Sequence, residues 1–194
     1  MKPTPLLSAI HDVASLLAHI QAGQAPKYLF FWGHTPAPNA TAVGKECLSQ
    51  WYPAAFEVDG RRYATAEHFM MAEKARLFGD EVTRESIIEA ADPGKAKKLG
   101  RSVTNFDSDV WDVARFEVVV RGGVAKFGQH PALQAFLLST GKHVLVEDSP
   151  VDAIWGIGIA QVDARAYNPA AWRGLNLLGF ALMGARIRLQ TAHS

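Results

Sequence analysis

The chain has 194 residues with Lys+Arg 20 against Asp+Glu 19, a near-neutral balance that argues against a broad nonspecific nucleic-acid or membrane surface while leaving room for one phosphorylated ligand. Cys47 is the only cysteine, which rules out an internal disulfide and suits a reducing cytoplasm. No run of about 18 apolar residues is available to span a bilayer, no charged leader precedes an apolar core at the N-terminus, and the histidines form no HxH or HExxH pair that would gather a metal. Cytoplasmic placement without a metal site is therefore expected. A chain of this length buries one sizeable core, and no Pro/Ser-rich linker divides it, so residues 27–190 read as a single domain preceded by an N-terminal extension over residues 1–26.

Leu6, Ile10, Val13, Leu17 and Ile20 recur at four- and three-residue steps, which predicts an amphipathic helix in that extension. Gly23 and Pro26 stop it, and Tyr28-Leu29-Phe30-Phe31-Trp32 reads as a short buried strand ending at Gly33. From His34 to Lys45 the density of Pro, Asn and Gly predicts a loop. Phe56-Glu57-Val58 and Arg61-Arg62-Tyr63 flank Asp59-Gly60, the signature of a hairpin with a tight two-residue turn. A helix follows from about Thr65. Further helix starts are expected at Asp80, at Asp92 before Pro93, and at Ser108. The last of these opens a long segment in which Val118-Val119-Val120 also has strand character and Gly122-Gly123 could bend the chain. Pro131 opens another helix that Gly141 closes, His143 to Glu147 alternates like a short strand, and Leu175, Leu178, Leu182, Ala185 and Leu189 mark a final helix. The fold class is thus α+β, predominantly helical, with a few short strands.

Glu67 and Lys74 stand seven residues apart in the predicted helix after Thr65. That is nearly two turns, so both project from one face about 10 Å apart along the axis, with room for a small ligand between them. A glutamate in the first turn also meets the positive end of the helix dipole, so capping electrostatics explain Glu67 equally well. A second cluster, Asp148-Ser149-Pro150-Val151-Asp152-Ala153-Ile154-Trp155-Gly156-Ile157-Gly158, combines acids, an indole able to stack on a base or sugar, and glycines that allow close backbone approach. In the plainer reading Asp152 is a helix cap and the glycines shape a turn around a core tryptophan. Lys95, Lys97, Lys98 and Arg101 crowd a helix end at Gly100, as a phosphate site or as a solvated basic face. Trp111 serves as core or as a stacking wall. No GxSxG, paired CxxC or phosphate-loop motif is present.

Taken in order, Phe31-Trp32-Gly33, Leu48-Ser49-Gln50-Trp51-Tyr52-Pro53, Thr65-Ala66-Glu67-His68 with Lys74, Ala96-Lys97-Lys98-Leu99-Gly100-Arg101, Trp111-Asp112, Ser149-Pro150-Val151-Asp152 with Trp155-Gly156-Ile157-Gly158, and Gly174-Leu175-Asn176-Leu177-Leu178-Gly179 resemble the NADAR, or YbiA-like, family over about residues 28–190. The resemblance implies a compact helical α+β domain that cleaves N-glycosidic bonds without metal or redox cofactor. Some members of the family hydrolyse phosphorylated ribosylamino-pyrimidine intermediates of riboflavin biosynthesis, and others remove ADP-ribose from modified guanine. It carries functional positions onto Glu67, Trp111 and Asp152, with Lys74 as the matching helix lysine. On that basis Glu67, Lys74 and Asp152 are the expected catalytic residues. Trp111 and Trp155 are expected as stacking walls, Gly33 and Gly156 as close-approach positions, and Arg101 and Asn176 as polar contacts. The expected partner is a phosphorylated ribosyl or ADP-ribosyl small molecule, with nucleic acid entering only if ADP-ribosylguanine is the substrate. A noncatalytic ADP-ribose or nucleotide sensor is the alternative outside enzymology.

Overall fold

The computed structural model describes residues 10–36 and 38–192. These residues form two compact units, one discontinuous over residues 10–32 and 136–192 and the other continuous from residue 33 to residue 135.

The discontinuous unit begins with α1 (Val13–Gln21), shorter than the periodicity predicts. Its start is set by Asp12, whose carboxylate accepts from the Ser15 amide while the Ser15 hydroxyl accepts from the Asp12 amide, a reciprocal capping pair. Leu6 lies outside the described residues, whereas Ile10 and Leu16 are buried. Strand β1 (Tyr28–Phe31) pairs in parallel with β4 (Val144–Glu147), Tyr28 opposite Val144 and Phe31 opposite Glu147. Both strands are apolar, and Val144, Leu145 and Val146 are fully buried, as expected where both faces of a parallel pair are covered. After β4 the chain runs through irregular backbone and two short 3-10 turns, Ala164–Tyr167 and Pro169–Ala171, into α7 (Leu177–Thr191). Helix α7 packs on β4 at Gly179, where a Cβ would stand 2.0 Å from the Leu145 carbonyl oxygen.

The continuous unit opens with the predicted loop, which ends in a 3-10 turn over Lys45–Leu48. The predicted hairpin is β2 (Phe56–Val58) against β3 (Arg61–Tyr63), and its turn residues take positive φ, Asp59 at 52° and Gly60 at 73°. Helix α2 (Ala66–Leu77) follows, capped by Thr65. Around it pack α3 (Glu81–Ile88), α4 (Pro93–Gly100) and α5 (Ser108–Gly128). Asp80 and Asp92 cap α3 and α4. For α5 the cap is Asp107, one residue earlier than expected, because its carboxylate reaches the Asp109 and Val110 amides. Helix α5 is continuous: Val118-Val119-Val120 is helical, and Gly122 serves packing, since a Cβ there would meet the Phe69 ring at 2.7 Å. Helix α6 (Pro131–Ser139) leads the chain on to β4.

Helix α2 is the centre of this unit. From Ala66 through Glu73 every residue is buried, so its polar groups are held by neighbours rather than by water. The His68 Nε2–H donates to the Ala90 carbonyl at 3.1 Å while Nδ1 accepts from the Thr65 hydroxyl at 2.8 Å. The Glu73 carboxylate meets Arg76 at 3.0 Å and Arg121 at 3.2 Å. None of the described helices is long and apolar enough to cross a membrane.

Candidate active site

In the continuous unit, the first turn of α2 carries Glu67. Its side chain is 3% exposed, and its amide donates to the Gln50 carbonyl at 3.0 Å. Carboxylates are rarely buried to this degree without a structural or chemical use. Two turns on, Lys74 is half-buried. Its Nζ donates to the Gly100 carbonyl at 2.8 Å and lies 4.0 Å over the ring centroid of Phe106.

Each of these contacts has a local cause. Gly100 ends α4, so its carbonyl is one that no further turn of helix can satisfy, and it lies at the negative end of the helix dipole. Helix α4 approaches α2 so closely at this point that a Cβ on Gly100 would stand 2.2 Å from Met71 Sδ. Phe106 is held edge to face by Phe78, 5.3 Å between centroids. The carbonyl and the ring favour the ammonium, but burial outweighs them and holds the Lys74 pKa below the usual lysine range. An amine so placed is deprotonated more readily than a free lysine, as a nucleophile requires.

Arg101 directly follows Gly100 as the C-terminal cap of α4 and is exposed, free to meet an anion. Trp111, in the first turn of α5, is only 8% exposed, so most of its surface is committed to packing. Gly33 has φ of 82°, and no atom lies within 4 Å of where a Cβ would stand. Its glycine is required by the backbone conformation rather than by crowding.

The discontinuous unit carries the second group. Asp152 Oδ1 accepts from the Ile154 amide at 2.9 Å and the Trp155 amide at 2.8 Å, so the residue caps an irregular turn, not the start of a helix as its plainer reading expects. Trp155 is half-buried, and Gly156 is hemmed in by its own chain, with a Cβ position 2.8 Å from the Glu147 carbonyl oxygen. Asn176, expected as a ligand contact, is fully buried. Its Oδ1 accepts from the Glu147 amide at 2.9 Å, and its Nδ2 donates to the Leu145 carbonyl at 2.9 Å. Its amide therefore clasps the edge of β4, and its left-handed backbone, φ 52°, turns the chain into α7.

Two partners of the Lys74 amine, Gly100 as an acceptor and Phe106 as a ring, have no signature in sequence spacing. Gly100 is visible there only as a helix stop. Among the described residues, no three of His, Cys, Asp and Glu come together as metal ligands.

The NADAR domain matches residues 30–190. The chain belongs to the NADAR family. Among its NADAR relatives, an N-glycosidase of Acanthamoeba polyphaga mimivirus is 41% identical over 168 residues, covering 84% of this chain and 96% of that protein. N-glycosidase YbiA of Escherichia coli is 35% identical over 133 residues, covering 69% of this chain and 74% of that protein. The solved NMR structure of E. coli YbiA has the same fold, with a TM-score of 0.67 at 28% identity over 88% of this chain and 89% of that one. The helical α+β architecture expected from sequence is thus the NADAR fold.

Proposed function

We propose that the chain is an N-glycosidase that hydrolyses the C–N bond between ribose 5-phosphate and a heterocyclic base or amine, with ribosylamino-pyrimidine phosphates of riboflavin biosynthesis as its substrate class. The observation that carries this reading is the Lys74 amine, partly desolvated and oriented by Gly100 and Phe106, on the same helix as the buried Glu67 carboxylate. The names of the relatives as N-glycosidases support the same class of reaction.

The chemistry needs a nucleophile for the anomeric carbon and an acid for the departing nitrogen. Lys74 Nζ attacks that carbon with its lone pair. The old C–N bond breaks with its electrons going to the base nitrogen, which takes a proton from Glu67. The new glycosylamine opens to a protonated imine, water adds to it, and ribose 5-phosphate leaves as Lys74 regains its amine. Arg101 holds the phosphate. The route requires neither metal nor redox cofactor.

The test is a product-resolved assay with a ribosylamino-pyrimidine 5-phosphate, comparing wild type with Glu67→Gln. Release of ribose 5-phosphate by the wild type alone is expected. Release of ADP-ribose from ADP-ribosylguanine in its place would transfer the reading to the second substrate class, and tight binding of both without turnover would make the protein a sensor.

A further inference from the structure

Lys126, near the end of α5, is 1% exposed, yet lysine is almost never fully buried unless paired. Its partners are main-chain carbonyls: Nζ donates to Cys47 at 2.7 Å and to Ser49 at 2.8 Å. The Tyr52 and Phe127 rings flank it, with centroids 5.5 and 5.1 Å away. The next carbonyl along that segment, Gln50, receives the amide of Glu67 at 3.0 Å, and the Gln50 side chain reaches Met70 Sδ at 3.9 Å. A continuous path therefore runs from Lys126 through residues 47–50 to the first turn of α2.

We infer that Lys126 is a positioning residue: its ammonium clamps the 47–49 backbone and so sets the Gln50 carbonyl that seats Glu67. This rests on the reading of Glu67 as a catalytic carboxylate. The clamp does not touch substrate and acts only through Glu67.

Burial brings the Lys126 pKa down to about 7. Facing it are the Cys47 thiol, which burial pushes up to about 12, and the Tyr52 ring, whose phenol is also pushed up by burial, while Lys45 and Glu46 immediately precede the clamped segment. The elements packed on α5 add Glu67, His68 and Glu73 from α2 and Glu57 from β2, with Asp59 in the hairpin turn and His130 beyond the helix end. A neutral amine keeps two N–H groups for the two carbonyls but loses the charge assistance that roughly doubles such bonds. The clamp therefore weakens as pH rises through about 7.

Stability moves in the opposite direction. The unfolded chain keeps the Lys126 proton up to 10.5, while the folded chain yields it near 7. Between those values the unfolded state binds more protons, so the contribution of this group to stability rises with pH. A lysine with only a structural role would move activity and stability together.

The deciding experiment follows the Glu67 backbone amide in 15N–1H spectra of the full chain between about pH 6 and pH 9, in wild type and Lys126→Met. The wild-type amide should titrate with a midpoint near 7, and the transition should be absent in the variant. In turnover assays K126M should lower kcat roughly tenfold with KM within about twofold, and should flatten the alkaline fall in kcat. A wild-type amide that does not titrate overturns the inference. So does a transition that survives in K126M, which would belong to another group. If K126M does not fold, 15N-labelled lysine in the wild type must show Lys126 Nζ titrating with the midpoint of the Glu67 amide, and two different midpoints overturn it. The amide readout needs no substrate, so an enzyme without turnover would strike the glycosidase reading while the clamp is still decided by the spectra.

Discussion

The ammonium of Lys74 is bound to the carbonyl of Gly100 at 2.8 Å and capped by the face of Phe106 at 4.0 Å. The main chain and a ring thus fix the amine in place, while burial lowers its pKa from 10.5. Borohydride should trap a substrate-dependent adduct on wild type and none on Lys74→Met. The pH dependence of trapping should rise to a plateau with a midpoint below the ordinary lysine value, because the reactive form is the free amine. Phe106→Leu removes the ring attraction that favours the cation while keeping bulk. It should move that midpoint lower still, as measured by trapping rate against pH.

Arg101 sits exposed, next in the chain to the Gly100 carbonyl that holds this amine. Arg101→Ala should raise KM for the phosphorylated substrate by about tenfold or more and leave the dephosphorylated analogue nearly unchanged. Parallel kinetics on the two compounds measure it, and equal effects on both would remove the phosphate role.

Two glycines make a graded test of packing. At Gly179 the added Cβ meets backbone, the Leu145 carbonyl oxygen at 2.0 Å, whereas at Gly100 it meets a side chain, Met71, with Sδ at 2.2 Å and Cβ at 3.1 Å. Gly179→Ala should cost about 3 kcal/mol or more, because neither β4 nor α7 can yield cheaply, and Gly100→Ala should cost less, about 1–3 kcal/mol, because a side chain rather than a carbonyl must shift. Urea unfolding of both variants supplies the comparison.

Asp80 joins α3 to the segment before α5. Its carboxylate accepts from the Thr104 amide at 2.9 Å and the Thr83 amide at 3.0 Å, and these bonds lower its pKa to about 2. A carboxyl acidified by folding stabilises the native state above its unfolded value of 3.8, and that contribution is lost as pH falls toward 2. The Tm difference between wild type and Asp80→Asn should be greatest above about pH 5 and shrink steadily below about pH 4.

Local chemistry made much of this architecture legible in the sequence. Asp59-Gly60 specified its turn because only positive φ closes that hairpin, and Thr65, Asp80 and Asp92 announced helices because their side chains bond amides three residues on. Where two local signals competed, tertiary packing decided. Val118-Val119-Val120 has strand propensity, but it lies in a helix whose Gly122 fits the Phe69 ring. Asn176 could be recognised as a marked position without its task being legible, since its partners in β4 are 29 and 31 residues away. Lys126 was invisible for the same reason: its carbonyl partners are 79 and 77 residues distant and belong to the backbone, which carries no side-chain signature.

The pairing of Tyr28 with Val144 joins strands that have all of residues 33–135 between them. During synthesis β1 therefore emerges long before its partner exists, and its apolar run Tyr28-Leu29-Phe30-Phe31 must wait while the continuous unit, whose contacts are all available earlier, takes shape. A ribosome releasing the chain stepwise thus imposes an order on folding, with the β1–β4 ladder as the late event and β1 as the segment most in need of shielding until then.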